Sequence, residues 1–481
     1  MQKFSKWLTA ALFVVLAAAY GYWVFTQSSI TAASAAAASV LTVLFGVLCA
    51  QCIQGLCGAF SGEPEIELAE GLGRRSLRRV YRHPVARLFF VLLLARVAVY
   101  ILAYVVFTLQ KGYPGGLIDT LTLWNKGDAP HYMGIADNWY VTQGDARFHI
   151  VFFPFYPIVV RFVGELLQNT YAAGITVSVL STVFAGILLY ELAILDMDRA
   201  AAMRTVALQM LIPGAFLFNA PMSDSLFLLL SVAVMLLTRK KYYWAACALG
   251  ALASFTRVLG LVLLAPVAVE LIGDAVRQKR QTGKWTGFFL MRAWALLLIP
   301  VGFFAYLAIN QSLTGDAFTF LRYQSEHWSQ RTGWFFNTAS YQMNELLKSL
   351  PASREAALGL WLPNLVFLFG APLVMVFALR ERRKPSVQEG AMRPAEDSGP
   401  VTIGQPYALR PSYVAYFVAY YFISMGATWL LSAPRYLTAC FPLAFALGRL
   451  TRPRTAWMTY YLLLLLQLFY LCAYVADWMV Y

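Results

Sequence analysis

Charge is scarce in this sequence. Only 13% of its 481 residues are charged and 60% are hydrophobic, whereas soluble domains carry about a quarter charged residues. An ordinary soluble domain is therefore excluded. Histidine is scarcer still, with four copies. The six cysteines form no framework: Cys49, Cys52 and Cys57 share one apolar stretch, and Cys247, Cys440 and Cys472 lie in others. Cys49-x-x-Cys52 lacks both a second pair and a neighbouring histidine, which speaks against a zinc or redox site. These cysteines read as small buried residues. With no clear His/Cys ligand set, neither a metal nor a cofactor is expected. No internal repeat is visible, so nothing indicates an inverted-repeat transporter.

Acidic residues are outnumbered, 24 against 38 basic ones, for a net charge of +14. A nucleic-acid partner is not implied, because the basic residues cluster between apolar blocks. The clusters are Arg74, Arg75, Arg78, Arg79 and Arg82; Arg239, Lys240 and Lys241; Arg277, Lys279, Arg280 and Lys284; Arg380, Arg382, Arg383 and Lys384; and Arg449, Arg452 and Arg454. This is the charge bias of cytoplasmic loops in a membrane protein.

What the chain has in abundance is long apolar runs: Leu8–Phe25, Val40–Phe60, Leu88–Phe107 and Tyr460–Tyr474. Each approaches the length that crosses a hydrocarbon core, and helices satisfy their own backbone groups there. The first run, preceded by Lys3 and Lys6, exceeds a signal-peptide h-region and is followed at once by a second, so it reads as a retained helix. The expected fold is an all-α polytopic membrane bundle.

Placing every basic cluster in the cytoplasm predicts an N-terminal helical hairpin (1–61), an Arg-rich cytoplasmic loop (62–84), a membrane core (85–379), a flexible cytoplasmic linker (380–410) and C-terminal transmembrane helices (411–481). Two polar loops, 110–150 and 311–356, fall outside. Residues 151–168, with two prolines, Arg161 and Glu165, read as a bent or interfacial helix. Helices are also predicted near 171–194, 203–218, 224–238, 243–256, 257–272, 288–310, 357–379, 412–431, 437–450 and 456–478. The total is about thirteen crossings.

The unusual polar residues gather in the outer loops. The first reads Trp124-Asn-Lys-Gly-Asp-Ala-Pro-His-Tyr132-Met-Gly-Ile-Ala-Asp137, then Phe152-Phe-Pro-Phe-Tyr-Pro157. Asp128, flanked by Lys126 and His131, is a carboxylate at an apolar boundary and a possible general base, although a polar loop of this length ordinarily holds several aspartates.

These segments resemble the first extracytoplasmic loop of the PIG-V family, GPI mannosyltransferase-like proteins of the GT-C glycosyltransferase superfamily. Further elements follow in the family's order: Ala220-Pro-Met-Ser-Asp224-Ser-Leu-Phe, Thr256-Arg-Val-Leu-Gly260, Gly315-Asp316 with His327-Trp328, and Pro434-Arg-Tyr436 before Phe441-Pro442. The resemblance covers residues 85–450. Departures are Gly127 where the family has Trp, Asp224 where Glu is usual, and the added hairpin 1–61.

The resemblance implies a GT-C-like bundle whose two outer loops form the active site. It also implies an inverting transferase that moves a hexose, usually mannose, from a polyprenyl- or dolichyl-phosphate donor to an acceptor hydroxyl. Asp128 would be the base. Arg435, then Arg257 or His327, would meet the donor phosphate, with Lys126 and His131 as further binding residues. Asp224, Asp316, Tyr132, Trp328 and Tyr436 would support them. Blander readings exist: Arg257 paired to a partner such as Asp224, Arg435 snorkelling to headgroups, and Tyr436 as an interface anchor. The compact loops suit a bacterial cytoplasmic membrane, with a cell-envelope glycan, glycolipid or protein as acceptor. In a eukaryote the same site would face the endoplasmic reticulum lumen. A transporter of lipid-linked sugars and a non-catalytic assembly subunit are the alternatives. A polar track reaching the cytoplasmic side would favour transport.

Overall fold

The computed structural model describes residues 2–27, 29–61, 82–112, 116, 119–283, 291–381, 409–478 and 480. Most of the Arg-rich loop 62–84 and of the linker 380–410 lies outside the described residues, as do Arg74, Arg75, Arg78, Arg79, Arg382, Arg383 and Lys384 of their basic clusters.

The described chain is helical, apart from an isolated β-bridge between Thr332 and Ala427. Among the described residues, eight helices are long and apolar enough to cross a membrane, and up to ten if each of two bent pairs is one span. The protein is a multi-pass membrane protein. Its most lipid-facing members are Lys3–Thr26 and Val85–Lys111, with 11% and 17% of the apolar window buried, whereas Thr170–Ala193 is 67% buried and central.

Breaks fall where sequence chemistry dictates. Residues 151–168 do not form one span: a 3-10 helix, Asp145–Val151, meets helix Phe155–Leu167 at 111°, across Pro154. The expected helix 203–218 is likewise broken: Arg199–Leu211 bends by 75° into the 3-10 helix Pro213–Asn219, because Pro213 cannot continue the ladder. The expected helix 412–431 is Pro411–Ser424, and 437–450 is split into Ala433–Thr438 and Pro442–Leu450, again at a proline. The two polar loops are themselves helical, containing Ala129–Asn138, Thr319–Trp328 and Phe335–Ala352.

Residues assigned to opposite sides by charge separate into two ends. At one end, Asp196 accepts from Arg239 at 2.7 Å and Arg410 at 2.8 Å, and Glu270 accepts from Ser412 at 2.6 Å. Arg410 also lies 3.4 Å from Glu270. Arg280 reaches the carbonyl of Ser61, and Arg449 binds the carbonyls of Ala378 at 2.7 Å and Glu381 at 2.5 Å. At the other end lie Asp128, Asp224, Arg257 and Arg435. Helix Asp224–Arg239 joins the two ends, spanning roughly 24 Å at 1.5 Å per residue.

The sidedness is directly testable. Cysteines introduced at Asn138 and Gln330 should react with an impermeant thiol reagent in intact cells, and one at Lys241 should not. Labelling at 241 with 138 protected would invert the orientation that the basic clusters imply.

Candidate active site

The site begins with a turn. Gly127 has φ +59°, a left-handed conformation that is strained for a side chain such as the Trp of the resembled family. It brings Asp128 to the start of helix Ala129–Asn138, with Pro130 in the first turn. Asp128 makes no side-chain bond to its own helix terminus. Instead its Oδ2 lies 2.5 Å from an Nη of Arg435.

Arg435 enters from helix Ala433–Thr438. This short helix is fixed from outside: Asn364 accepts from the Ala433 amide at 2.9 Å, Tyr420 donates to the Tyr436 carbonyl at 2.8 Å, and Gln209 donates to the Thr438 carbonyl at 2.7 Å. The Arg435 Nε donates to Asp224 Oδ2 at 2.8 Å. The other oxygen of Asp224, Oδ1, accepts from Arg257. Both oxygens of Asp224 are thus engaged, and its side chain is 2% exposed. As the first residue of helix Asp224–Arg239, it also sits where the helix dipole favours an anion. The chain of charges runs Asp128–Arg435–Asp224–Arg257. In it, Asp128 is the most accessible, at 28% side-chain exposure against 5% for Arg435.

Arg257 comes from a deliberate break. Helix Tyr243–Thr256 ends, Arg257 is extended (φ −158°, ψ 148°), and the 3-10 helix Val258–Leu263 turns back. Gly260 makes the return possible, since a Cβ there would sit 2.2 Å from the Ser254 nitrogen and 2.3 Å from the Ala253 carbonyl carbon. Gly260→Ala is therefore expected to cost about 1–3 kcal/mol or more and to displace Arg257, read as a lowered melting temperature with loss of activity. The Arg257 guanidinium lies 5.1 Å over the Tyr436 ring, a cation–π contact. That gives Tyr436 a place in the site, where an interface anchor was the blander expectation.

Tyr132 joins the two halves of the first motif. Its hydroxyl shares a 2.7 Å hydrogen bond with Ser223, next to Asp224. Its ring packs edge-on against Phe152 and Tyr156, each at 5.2 Å. The re-entry motif is thus the wall behind the Asp128 helix.

His131, His327 and Trp328 form an adjoining aromatic group. His131 stacks on Phe152 at 4.9 Å and meets Trp328 edge-on at 6.0 Å, and His327 stacks on Phe148 at 4.4 Å. His149 belongs here too, 4.8 Å from His131. Burial pulls the His131 imidazole below its ordinary pKa, with Asp128 opposing and His327 adding to the shift. The same burial disfavours the charged imidazolium.

Two expected residues are engaged elsewhere. Lys126 pairs with Asp477, donates to the Tyr474 carbonyl at 3.0 Å and lies over the Tyr474 ring at 5.0 Å, drawn there by opposite charge. Asp316 accepts from the Phe318 amide at 2.9 Å within its own turn. Among the described residues no group of three His, Cys, Asp or Glu side chains is arranged to hold a metal ion.

One supporting set escaped the sequence reading. Arg96, 3% exposed in the lipid-facing helix Arg82–Lys111, donates to the Ala215 carbonyl at 2.8 Å, and Tyr100 donates to the Asn219 carbonyl at 2.6 Å. Asn219 donates back to the Arg96 carbonyl at 2.9 Å. Together they fix the 3-10 helix that leads into Ser223 and Asp224. The signal was present, since an arginine inside an apolar run is costly at membrane depth and marks an interior role.

No protein-family model and no curated protein sequence matches this chain, so the PIG-V resemblance stands on its motifs. Among solved structures, the crystal structure of ArnT from Cupriavidus metallidurans bound to undecaprenyl phosphate is similar at a TM-score of 0.41 and 14% identity, over 77% of this chain and 62% of that one. This chain therefore spans less than two thirds of the ArnT chain.

Proposed function

We propose that this protein is an inverting glycosyltransferase that moves a hexose from a polyprenyl- or dolichyl-phosphate donor to an acceptor hydroxyl at the extracytoplasmic face. One observation carries the reading. Four charged residues, from four segments that each bear one of the motifs, converge at one end of the bundle, and only the carboxylate of Asp128 is appreciably open to an incoming molecule.

The chemistry follows from the pairings. Asp128 takes the acceptor's hydroxyl proton as the oxygen bonds to the anomeric carbon from the face opposite the leaving group, inverting that carbon. The bond from carbon to phosphate oxygen breaks, and its electron pair goes to the lipid phosphate. Arg435, held in place by Asp224, faces the charge that develops on that phosphate, with Arg257 behind it. His131, His327 and Trp328 offer an aromatic surface and polar ring atoms suited to a sugar ring. Mannose is the sugar suggested by the motif resemblance, and a cell-envelope glycan, glycolipid or protein the acceptor.

Transport of a lipid-linked sugar is the weaker reading. A transporter needs polar access to both sides, whereas helix Asp224–Arg239 carries no ionisable residue between its ends. At the opposite end the ion pair of Asp196 and Arg239 is buried, at 8% and 9% exposed.

The test is to incubate purified protein with a cell-envelope extract as source of acceptor and with polyprenyl-phosphate mannose or, separately, polyprenyl-phosphate glucose, and to follow release of polyprenyl phosphate. Consumption of one and not the other supports the transferase and names the sugar. Movement of intact donor across a vesicle bilayer without consumption would instead support transport.

A further inference from the structure

We infer that the donor phosphate arms the catalytic base: by taking Arg435 it frees Asp128, so that deprotonation of the acceptor waits on donor binding. This deepens the proposed transferase reading and rests on it.

The asymmetry of the two carboxylates around Arg435 is the starting point. Asp224 is buried, and each of its oxygens is held by a separate guanidinium, so it cannot turn away. Asp128 is tied by one oxygen to one guanidinium nitrogen, at 2.5 Å, and is 28% exposed. It stands behind the left-handed Gly127 at the start of a loop helix and makes no bond to that helix. Arg435 itself is 5% exposed. An anion reaching it from outside therefore competes with Asp128 and not with Asp224.

A carboxylate locked against a guanidinium is also a poor base. One of its two oxygens is already held by Arg435 and is not free to accept the acceptor's proton. Something must relieve that contact before Asp128 can take a proton.

The charges of the reaction supply the exchange. The phosphodiester of the donor carries one negative charge, matching the carboxylate it displaces. During transfer the acceptor's proton passes to Asp128, which becomes neutral, while the electron pair of the breaking carbon–oxygen bond passes to the phosphate, which gains a second negative charge. The sum over Asp128, Arg435 and the phosphate is minus one before and after. Arg435, already transferred to the phosphate when the donor binds, is thus held there more strongly in the step that uses Asp128 as base, and no buried charge is left unpaired at Asp224.

The prediction is an unusual sign: removing the base should improve binding of the leaving lipid. Binding of a polyprenyl monophosphate, which carries no sugar and cannot turn over, would be measured on the full-length chain in nanodiscs, for wild type, Asp128→Asn and Asp224→Asn. Asp128→Asn is expected to bind about tenfold more tightly, the scale of one lost competing charged hydrogen bond. General damage to the fold would weaken binding, so it cannot imitate this result. Asp224→Asn is expected to bind no better than wild type, because Asp224 anchors both arginines and is not displaced.

Equal or weaker binding in Asp128→Asn, with wild type binding well, would overturn the exchange and leave the transferase reading intact. Equal tightening in both variants would attribute the effect to net charge and overturn it as well. If wild type and both variants bound the monophosphate no better than the uncharged polyprenol, the lipid-phosphate reading itself would fail and this inference with it.

Discussion

Asp224→Ala is expected to be the most destabilising single change at the site, costing about 3–5 kcal/mol, the scale for removing one partner of a buried ion pair. It would leave Arg257 and Arg435 as buried, mutually repelling cations, 33 and 211 positions away in sequence yet on opposite oxygens of one carboxylate. Against a typical stability of about 5–15 kcal/mol, that loss should appear as a sharp fall in melting temperature and in the monodisperse fraction after extraction. Adding Arg257→Leu should recover part of it by removing one of the stranded charges. Asp224→Glu, the usual residue of the resembled family, should cost about 1–3 kcal/mol here, because an added methylene must fit a fully packed position. If Asp224→Ala melts within about 1 kcal/mol of wild type, judged against the small effects typical of exposed pairs, the network is not the keystone described above.

Asp128→Asn is expected to act in the opposite way, with little effect on the fold and a large one on turnover. Its side chain is partly open and joined by a single ion pair, a kind of contact worth about 0–1 kcal/mol when solvent reaches it. As a general base it should account for about 10²–10⁴-fold in rate. The measurement is turnover at saturating donor beside melting temperature. Full stability with turnover reduced on that scale supports the assignment, as an effect on rate without an effect on folding. Near-normal turnover would make Asp128 structural. Asp224 is too enclosed to replace it and Asp316 is engaged in its own turn, so a base would then be sought in the His131, His149 and His327 group.

Much of the architecture was legible without coordinates. Hydropathy and basic clusters are one-dimensional signals. They gave the membrane class and the bent character of the segment around Pro154, and they predicted a common side for Arg239 and Arg280 that the labelling experiment tests. The motifs named Asp128, Asp224, Arg257, Arg435 and Tyr132 as one set. The count of about thirteen crossings was harder to read, because Pro213 and the short pieces around Pro434 and Pro442 break helices that hydropathy runs together.

Other features were not legible in principle. The sequence by itself determined that this chain lies in a membrane and which residues are out of place among apolar neighbours. All of that follows from transfer free energy, which each residue carries with it. Only the tertiary structure decided that Asp224 is the shared acceptor of two guanidiniums, that Lys126 turns to Asp477 and that Arg96 braces the segment before Ser223. It alone decided that Asp128 is held by Arg435 and is the more exposed of the two. Ion pairing depends on distances of a few ångströms between helices far apart in sequence, and those distances are set by packing, which no local pattern of residues encodes.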